Sequence, residues 1–550
     1  MSKDMDNDEP FVYRLNDNGT GPSLLVKVCA ERGWRIYQAS PGEEKWNLWW
    51  RSSAFPATCY KTLEDWQFMN HIPKGGSICR KDSLSRLLRC MRRIYGPIYD
   101  FSPPCFHLPL EYAKLVSEFS KLRRCDEGAN VVWIHKPVAQ SQGRGIFLFR
   151  SICELRCGTS AVVQRYIERP LLMAGYKFDL RLYVCVPGYR PLTAYMYAEG
   201  LARFGTDKYT LSDIHNPYRH LTNSSLNKTG PRYSECKERI GSGCKWTLKQ
   251  VRRALIGRWG AVEWLVWQKI RALVTLTLLA QAAGTPPTRN CFEFYGFDVN
   301  LSPALQADCE ADVTVKQPML HELFDLLGLP MRHTGLSYLQ GPPTPHIMSC
   351  SSEDESGASS TGSRSSSGHK RGGRSQRRRR AMPLNCVTLQ PPVAEKYNDV
   401  STNNLSQLNS YKSSSDISER LDSQSATSIA SPPEPVDETW RGGYATAASR
   451  RRMMNACMWG NGVRWDKGVN RVGQWIRIYP HMHSNDEQLS FEDVRESVAH
   501  VSKLLRAARE VTRECRNVKS RDSTRDAVFE DSLRKKLAYG PHFEVWLPPF

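Results

Sequence analysis

The sequence predicts an α/β (α+β) chain with a long polar interruption, and three observations predict it. From Phe11 to about Leu339, strand-like and helix-like apolar patterns alternate continuously, as in a mixed helix-and-sheet fold. The composition then breaks: SCSSEDESGASSTGSRSSSGHKRGGRSQRRRR (Ser349–Arg380) is serine-rich and then basic, and polar low complexity continues to about Ser449. Such a segment buries too little apolar surface to offset its ordering entropy, so disorder is expected there. Folded character returns at VGQWIRIYP (Val472–Pro480) and FEDVRESVAHVSKLLRAAREV (Phe491–Val511), whose apolar residues recur at helical spacing and predict a helix packing back on the folded part.

At 550 residues, 40% hydrophobic and 10% aromatic, the chain has room for two or three domains around a large core. The formal charge of +20 favours acidic partners, whether nucleic acid, anionic lipid or acidic polypeptide. The start, MSKDMDNDEP, lacks the basic and apolar regions of a signal peptide. The longest apolar stretch, Ala272–Ala283, is too short for a bilayer and follows Lys269 and Arg271. An intracellular protein with no membrane partner is expected. The 17 cysteines are scattered, and the nearest pair, Cys153 and Cys157, reads as ordinary buried thiols kept reduced. No internal repeat is visible. Lys245–Ala283 reads as one or two helices with Trp264, Trp267, Ile270 and Val274 on one core face.

Four stretches carry chemistry. In NVVWIHKPVAQSQGRGIFLF (Asn130–Phe149) a strand leads to Lys136, a polar loop holds Gly143, Arg144 and Gly145, and a strand resumes. Glycines let backbone amides approach phosphate oxygens and a lysine supplies charge, although hairpins also use glycine for turn geometry alone. In VVQRYIERPLLMAGYKFDLRLYVCV (Val162–Val186), a strand with Gln164, Arg165 and Ile167 precedes one holding Lys177, Asp179 and Arg181. Residues two apart share a strand face, so cation, anion and cation form one row. That row reads either as a solvated face with a cross-strand ion pair or, given apolar Phe178, Leu180 and Leu182 between, as one facing a wet cavity or ligand without being neutralised. RHLTNSSLNK (Arg219–Lys228) is a polar turn with His220, Thr222 and Asn223, any of whose small polar residues suits a helix cap. Finally, CFEFYGFDVNLSPAL delivers Asp298 at the end of a strand, with Asn300 two residues on. Oxygen donors of that kind suit magnesium shared with nucleotide phosphates.

These spans, in the order KPVAQSQGRGI, QRYIERPLLMAGYKFDLRLYV, YAEGLARF, HLTNSSLNK and FEFYGFDV, resemble the tubulin tyrosine ligase-like family; upstream, WNLWWR and WQFMNHIPKGGSICRKDSLSRLLRCM resemble its N-terminal domain. The resemblance covers Phe11 to about Leu329 and returns weakly at GQWIRIYP. It implies an ATP-grasp ligase fold with an N-terminal subdomain at 11–97, a central one at 98–190 and a C-terminal one at 191–339. These lie between a disordered start at 1–10 and a disordered linker at 340–455, followed by a returning strand and helix at 456–515 and a tail at 516–550. It also implies an ATP- and Mg2+-dependent polyglutamylase joining free glutamate to glutamate side chains of acidic tubulin tails through an acyl phosphate. Carried over, Lys81 and Lys136 hold phosphates, and Gln164, Arg165 and Ile167 meet the adenine. Lys177, Asp179, Arg181 and Arg203 line the phosphate and acceptor region, Thr222 and Asn223 contact the nucleotide, and Asp298 with Asn300 holds Mg2+. The implied protein is a monomer of the cytoplasm and microtubule cytoskeleton, with cilium and basal body as finer alternatives. Glycine stays open as the added amino acid.

One departure stands out. Family members run from the GFD strand through a turn into a second strand ending in Glu-x-Asn. Here GFDV meets NLSPAL directly, so about a dozen residues are missing, on the assumption of two ordinary strands and a short turn. Asn300 survives and its carboxylate partner does not. Glu293, at an odd separation from Asp298, is expected on the opposite strand face, and nothing in the sequence turns Asp308 or Glu310 back toward the site. The chain is then either a shortened form of an active ligase, favoured by the flanks staying in register, or a non-catalytic microtubule-binding relative. A nuclear-import or nucleic-acid role for HKRGGRSQRRRR (His369–Arg380) is the third reading; it is disfavoured, since basic runs are usually solvated tails and no aromatic-interleaved basic strand accompanies this one.

Overall fold

The computed structural model describes residues 10–38, 45–124, 130–155, 158, 160–297, 300–330, 457–459, 461–481, 493–517 and 523–550. The expected linker at 340–455, the basic run His369–Arg380, Cys157 and Asp298 lie outside the described residues, and Cys153, expected to be buried, is exposed.

The first sheet is parallel. Alternating burial along VYRL makes β1 (Val12–Leu15), which pairs with β2 (Arg35–Ile36) and β3 (Leu48–Trp50); β4 (Phe68–Met69) follows, in the order β2-β1-β3-β4. A parallel pair needs a crossover, and α1 (Ser23–Glu31) supplies it, burying Leu24, Leu25, Val28 and Cys29. Helix α2 (Lys81–Tyr95) then turns Leu88 and Met91 inward and leaves most of its arginines outward.

The second sheet is antiparallel. β5 (Cys105–Leu108), α3 (Tyr112–Arg123), β6 (Trp133–Pro137), β7 (Phe147–Phe149) and β8 (Ala161–Arg165) give the order β5-β8-β6-β7. Helix α3 packs on it through Phe119, stacked on Trp133 at 5.4 Å between centroids.

The third sheet contains β9 (Leu172–Met173), β10 (Tyr176–Tyr189), β11 (Leu192–Tyr197), β12 (Leu201–Lys208), β13 (Lys245–Thr247) and β14 (Glu293–Phe297), completed by β15 (Arg471–Val472) and β16 (Trp475–Tyr479). Its order is β13-β12-β10-β11-β16-β15, with β14 and β9 also against β10. The 14-residue β10 binds β12 through its first half and β14 through its second. A break at residue 190 therefore does not coincide with the sheets: the second ends at Arg165 and the third begins at Leu172.

Between strands lie the short α4 (Pro217–His220) and α5 (Ser224–Asn227), then α6 (Tyr233–Ile240), α7 (Leu248–Trp259), α8 (Val262–Ala282) and α9 (Glu310–Leu326). The stretch expected to form one or two helices forms two, α7 and α8, with Trp264, Trp267 and Val274 buried and Ile270 half-buried. Helix α9 packs Phe324 against Trp34, at 4.7 Å, and Trp50, tying it to the first sheet. Among the described residues no helix is long and apolar enough to cross a membrane.

Strand β16 pairs with β11, and α10 (Val494–Glu514) turns Val498, Val501, Leu504 and Val511 into the core. The stretch expected to be a tail is built in as well: α11 (Ser523–Leu537) buries Phe529 against Trp264, and Trp546 donates to the Tyr197 carbonyl at 3.0 Å. Buried charges join it to α7 and α8: Glu263 accepts from Arg252 and Arg525, each at 2.8 Å, and Arg252 also donates to Asp526.

Candidate active site

Strand β6 delivers Lys136 and β8 delivers Gln164 to one sheet face, and the lysine donates to Gln164 Oε1 at 2.7 Å. From β10, Lys177 donates to the Tyr166 hydroxyl at 2.9 Å and the His220 carbonyl at 2.7 Å, and it lies over the Tyr166 ring. Lys81, the first residue of α2, reaches the carbonyls of Pro137 at 3.0 Å and Gln140 at 2.5 Å. Burial pulls all three ammonium groups below their ordinary value, and each of Lys136 and Lys177 falls to about 8. Repulsion from Lys81 adds to the effect at Lys136, and repulsion from Lys136 adds to it at Lys177, where Asp179 opposes. Among the described residues, none of the three cations makes an ion pair.

The loop between β6 and β7 meets this set at Lys81, which bonds its Gln140 carbonyl. Gly143 has φ +84°, and a Cβ there would stand 3.0 Å from Asn223 Oδ1. Asn223 opens α5 without capping it through its side chain, which leaves its amide facing the glycine loop; Thr222 precedes it, half-buried. Arg144 and Gly145 are exposed on the loop, and Arg144 donates to Gln142. Arg165 and Ile167 are exposed at the end of β8.

Lys81, Gly143, Asn223, Arg181, Arg203 and Asn300 line one cavity of about 1160 Å³. Lys136, Gln164 and Lys177 do not line it and form the adjoining hydrogen-bonded set. The expectation of a row that is not neutralised fails at Asp179: its carboxylate faces Arg203 across the strand pair and binds that guanidinium through both oxygens, with Nε to Oδ1 at 2.9 Å. A β12 arginine in register with a β10 aspartate makes that pair unavoidable. Arg181 is buried with Nη1 against Gly296.

The far wall of the cavity escaped the sequence reading. Asp312 is fully buried between Lys245 at 2.6 Å and Lys316 at 2.8 Å. Burial pushes its carboxyl up, but the two lysines more than offset this and hold it below its ordinary value. Asp308, which the sequence gave no reason to turn inward, also lines the cavity and pairs with Lys228 at 2.9 Å. Glu310 is exposed at the start of α9. The i, i+4 spacing of Asp312 and Lys316 on one helix was a readable sign; the third partner, Lys245, arrives from β13 and left none.

Beyond β14, Asn300 bridges back to the strand: Asn300 N donates to the Gly296 carbonyl at 2.8 Å, and Gly296 N returns to the Asn300 carbonyl at 3.2 Å. Glu293 does not line the cavity, accepting from Ile72 N at 2.9 Å and touching His71 at 3.1 Å. Among the described residues, the expected magnesium pair is represented by the neutral amide of Asn300, and no group of three or more His, Cys, Asp or Glu could hold a metal ion. Asn300 alone brings no charge to a magnesium ion, and its expected partner Asp298 lies outside the described residues. Lys81 and the glycine loop, both on the cavity wall, fit a polyphosphate, with the desolvated Lys136 and Lys177 in the adjoining set.

Residues 60–334 match the tubulin-tyrosine ligase family. The chain belongs to that family. Its mixed helix-and-sheet architecture is of the α/β ATP-grasp type. Similar proteins include the probable tubulin polyglutamylase TTLL2 of Homo sapiens, 42% identical over 336 residues that cover 58% of this chain and 56% of the relative, and its Mus musculus counterpart, also 42% identical, with 62% of that relative covered. The probable alpha-tubulin polyglutamylase Ttll1 of Tetrahymena thermophila is 30% identical over 355 residues, 55% of this chain and 83% of the relative. The match thus spans little more than half the length of the human and mouse family members.

Proposed function

We propose that this chain is built as an ATP-dependent ligase that adds glutamate to glutamate side chains of acidic tubulin tails. The observation that carries this reading is the set Lys81, Lys136 and Lys177, three cations desolvated around a glycine loop without carboxylate partners among the described residues. The polyglutamylase names of its relatives support the substrate class. Lys81 and Lys136 would hold the phosphates with the Gly143 loop; Lys177, Thr222 and Asn223 would complete the contact, and Gln164, Arg165 and Ile167 would border the base. Bound ATP supplies the phosphoryl group that activates a carboxylate. In this scheme the tail carboxylate takes that group, and the amine of free glutamate displaces phosphate to form the isopeptide bond. The chain's own part is to position and to neutralise charge: Arg181 and Arg203 flank the cavity, with Asp179 fixing Arg203. The formal charge of +20 suits acidic tails on microtubules.

A second reading, a microtubule-binding relative without catalysis, is favoured by one observation, the Gly296–Asn300 bridge where family members carry a further strand and a glutamate. The experiment that separates them incubates the purified chain with microtubules, MgATP and radiolabelled glutamate, beside nucleotide-binding and salt-dependent cosedimentation assays. Label in tubulin supports the ligase. Nucleotide binding and cosedimentation without label support the second reading, and absence of nucleotide binding refutes the ligase.

A further inference from the structure

Behind the far wall of the cavity, two buried thiols face each other. Cys236 in α6 is 1% exposed, and Cys244, which leads into β13, is 3% exposed. Cys244 Sγ lies on the first turn of α6, donating to the Tyr233 carbonyl at 3.9 Å; Cys236, further along that helix, donates through Sγ to the Gly205 carbonyl of β12 at 3.8 Å. The two sulfurs are also within hydrogen-bond reach of each other. Between them the chain turns back through Gly241 at φ +120°, Gly243 at φ +69° and Cys244 itself at φ +51°. A non-glycine residue rarely adopts that left-handed backbone, and here it brings the Cys244 thiol over α6.

The pair is tied to the cavity wall on two sides. Lys245, the residue after Cys244, holds Asp312 at 2.6 Å and stands in register with Arg203 of β12. Across the loop, a Cβ at Gly243 would lie 2.8 Å from Cys309 Sγ, and that thiol donates to Asp312 Oδ2 at 3.3 Å. The two thiols also divide their roles. The bond from Cys236 holds the Cys244 thiol below its ordinary value against the opposing effect of burial, while the same contact, with burial, pushes Cys236 up. Cys244 is therefore the nucleophile of the pair, since the thiolate is the reactive form, and Cys236 keeps its proton.

We propose that Cys236 and Cys244 are a peroxide-responsive pair, closing reversibly into a disulfide that resets the Lys245–Asp312 wall. The Cys244 sulfur attacks one oxygen of hydrogen peroxide; the O–O bond breaks, the other oxygen leaves as water, and Cys244 becomes a sulfenic acid. The Cys236 sulfur then displaces that hydroxyl as a second water and forms the S–S bond. Two thiols lose two electrons and two protons, and one peroxide is reduced to two waters. A covalent bond of about 2.05 Å in place of a contact draws the start of β13, and Lys245 with it, toward α6. A small thiol reverses the step by exchange. The pair operates whether or not the chain is a ligase.

The full chain is treated with hydrogen peroxide, quenched with catalase, alkylated with iodoacetamide under denaturing conditions and digested with trypsin without reduction. Cleavage after Arg232, Lys237, Arg239 and Lys245 puts the two cysteines on separate peptides, 233–237 and 240–245. The expected product is these two peptides joined and two hydrogens lighter than their sum, with the alkyl label lost from both cysteines together and restored by dithiothreitol. Amide hydrogen exchange over Lys245–Thr247 should slow in the oxidised chain. Cys236→Ser should abolish the joined product and leave a sulfenic acid on Cys244 that dimedone traps; if that variant does not fold, the peptides of the unaltered chain decide. Full labelling of Cys236 and Cys244 while the exposed Cys90 and Cys153 are oxidised, a link from Cys244 to Cys309 instead, or unchanged exchange over β13 would each overturn the proposal.

Discussion

Raising the pH from 7 to 9 is expected to weaken nucleotide binding about a hundredfold. Burial leaves Lys136 and Lys177 each with a pKa of about 8 in the free protein. Each is then about nine-tenths protonated at pH 7 and about one-tenth at pH 9, a tenfold fall apiece. A bound polyphosphate stabilises the charged form, so the complex must recover both protons, and the two factors multiply. The sign follows: affinity is full below pH 8 and is lost above it. Lys81, also lowered by burial, acts in the same direction. Anisotropy of a fluorescent ATP analogue at fixed ionic strength reads the change directly. In Lys177→Gln the pH dependence should shrink to about tenfold, since one proton remains to be recovered. A dissociation constant that moves less than threefold between pH 7 and 9 would refute the assignment of these lysines to the phosphate site.

Two further outcomes test the frame around the site. Asp312→Ala strands Lys245 and Lys316 in a buried position, and removing one partner of such a cluster should destabilise by about 3–5 kcal/mol, read as a lower urea midpoint. Gly188→Ala would place a Cβ 2.2 Å from the Trp465 ring; such overpacking should cost about 1–3 kcal/mol, and an unchanged midpoint would show that the segment around Trp465 is not seated on β10.

What was legible in the sequence was what local periodicity controls. The strand, glycine turn and strand around Lys136 appear as β6 and β7, and Trp264 and Trp267 face the core as their helical spacing requires. Glu293 accepts from Ile72 N and does not line the cavity, while Asp298, against which strand alternation set it, lies outside the described residues. What depends on partners distant in sequence was less readable. Asp179 is held by a β12 residue whose register no local pattern reveals, and Lys245 meets Asp312 across 67 positions. The last segment was missed for a different reason. Phe529, Leu533 and Leu537 recur at a spacing of four and are buried, but the charged residues around them masked a narrow apolar stripe.

Strand β16 comes from residues beyond 456, yet it is inserted between β11 and β15, and the core clusters mix side chains from both sides of the 331–456 interval. A protease cut within that interval would accordingly leave two polypeptides sharing a sheet and an interior. They should separate on a denaturing gel and travel as one particle through a sizing column, so integrity of the covalent chain is a poor measure of integrity of the fold.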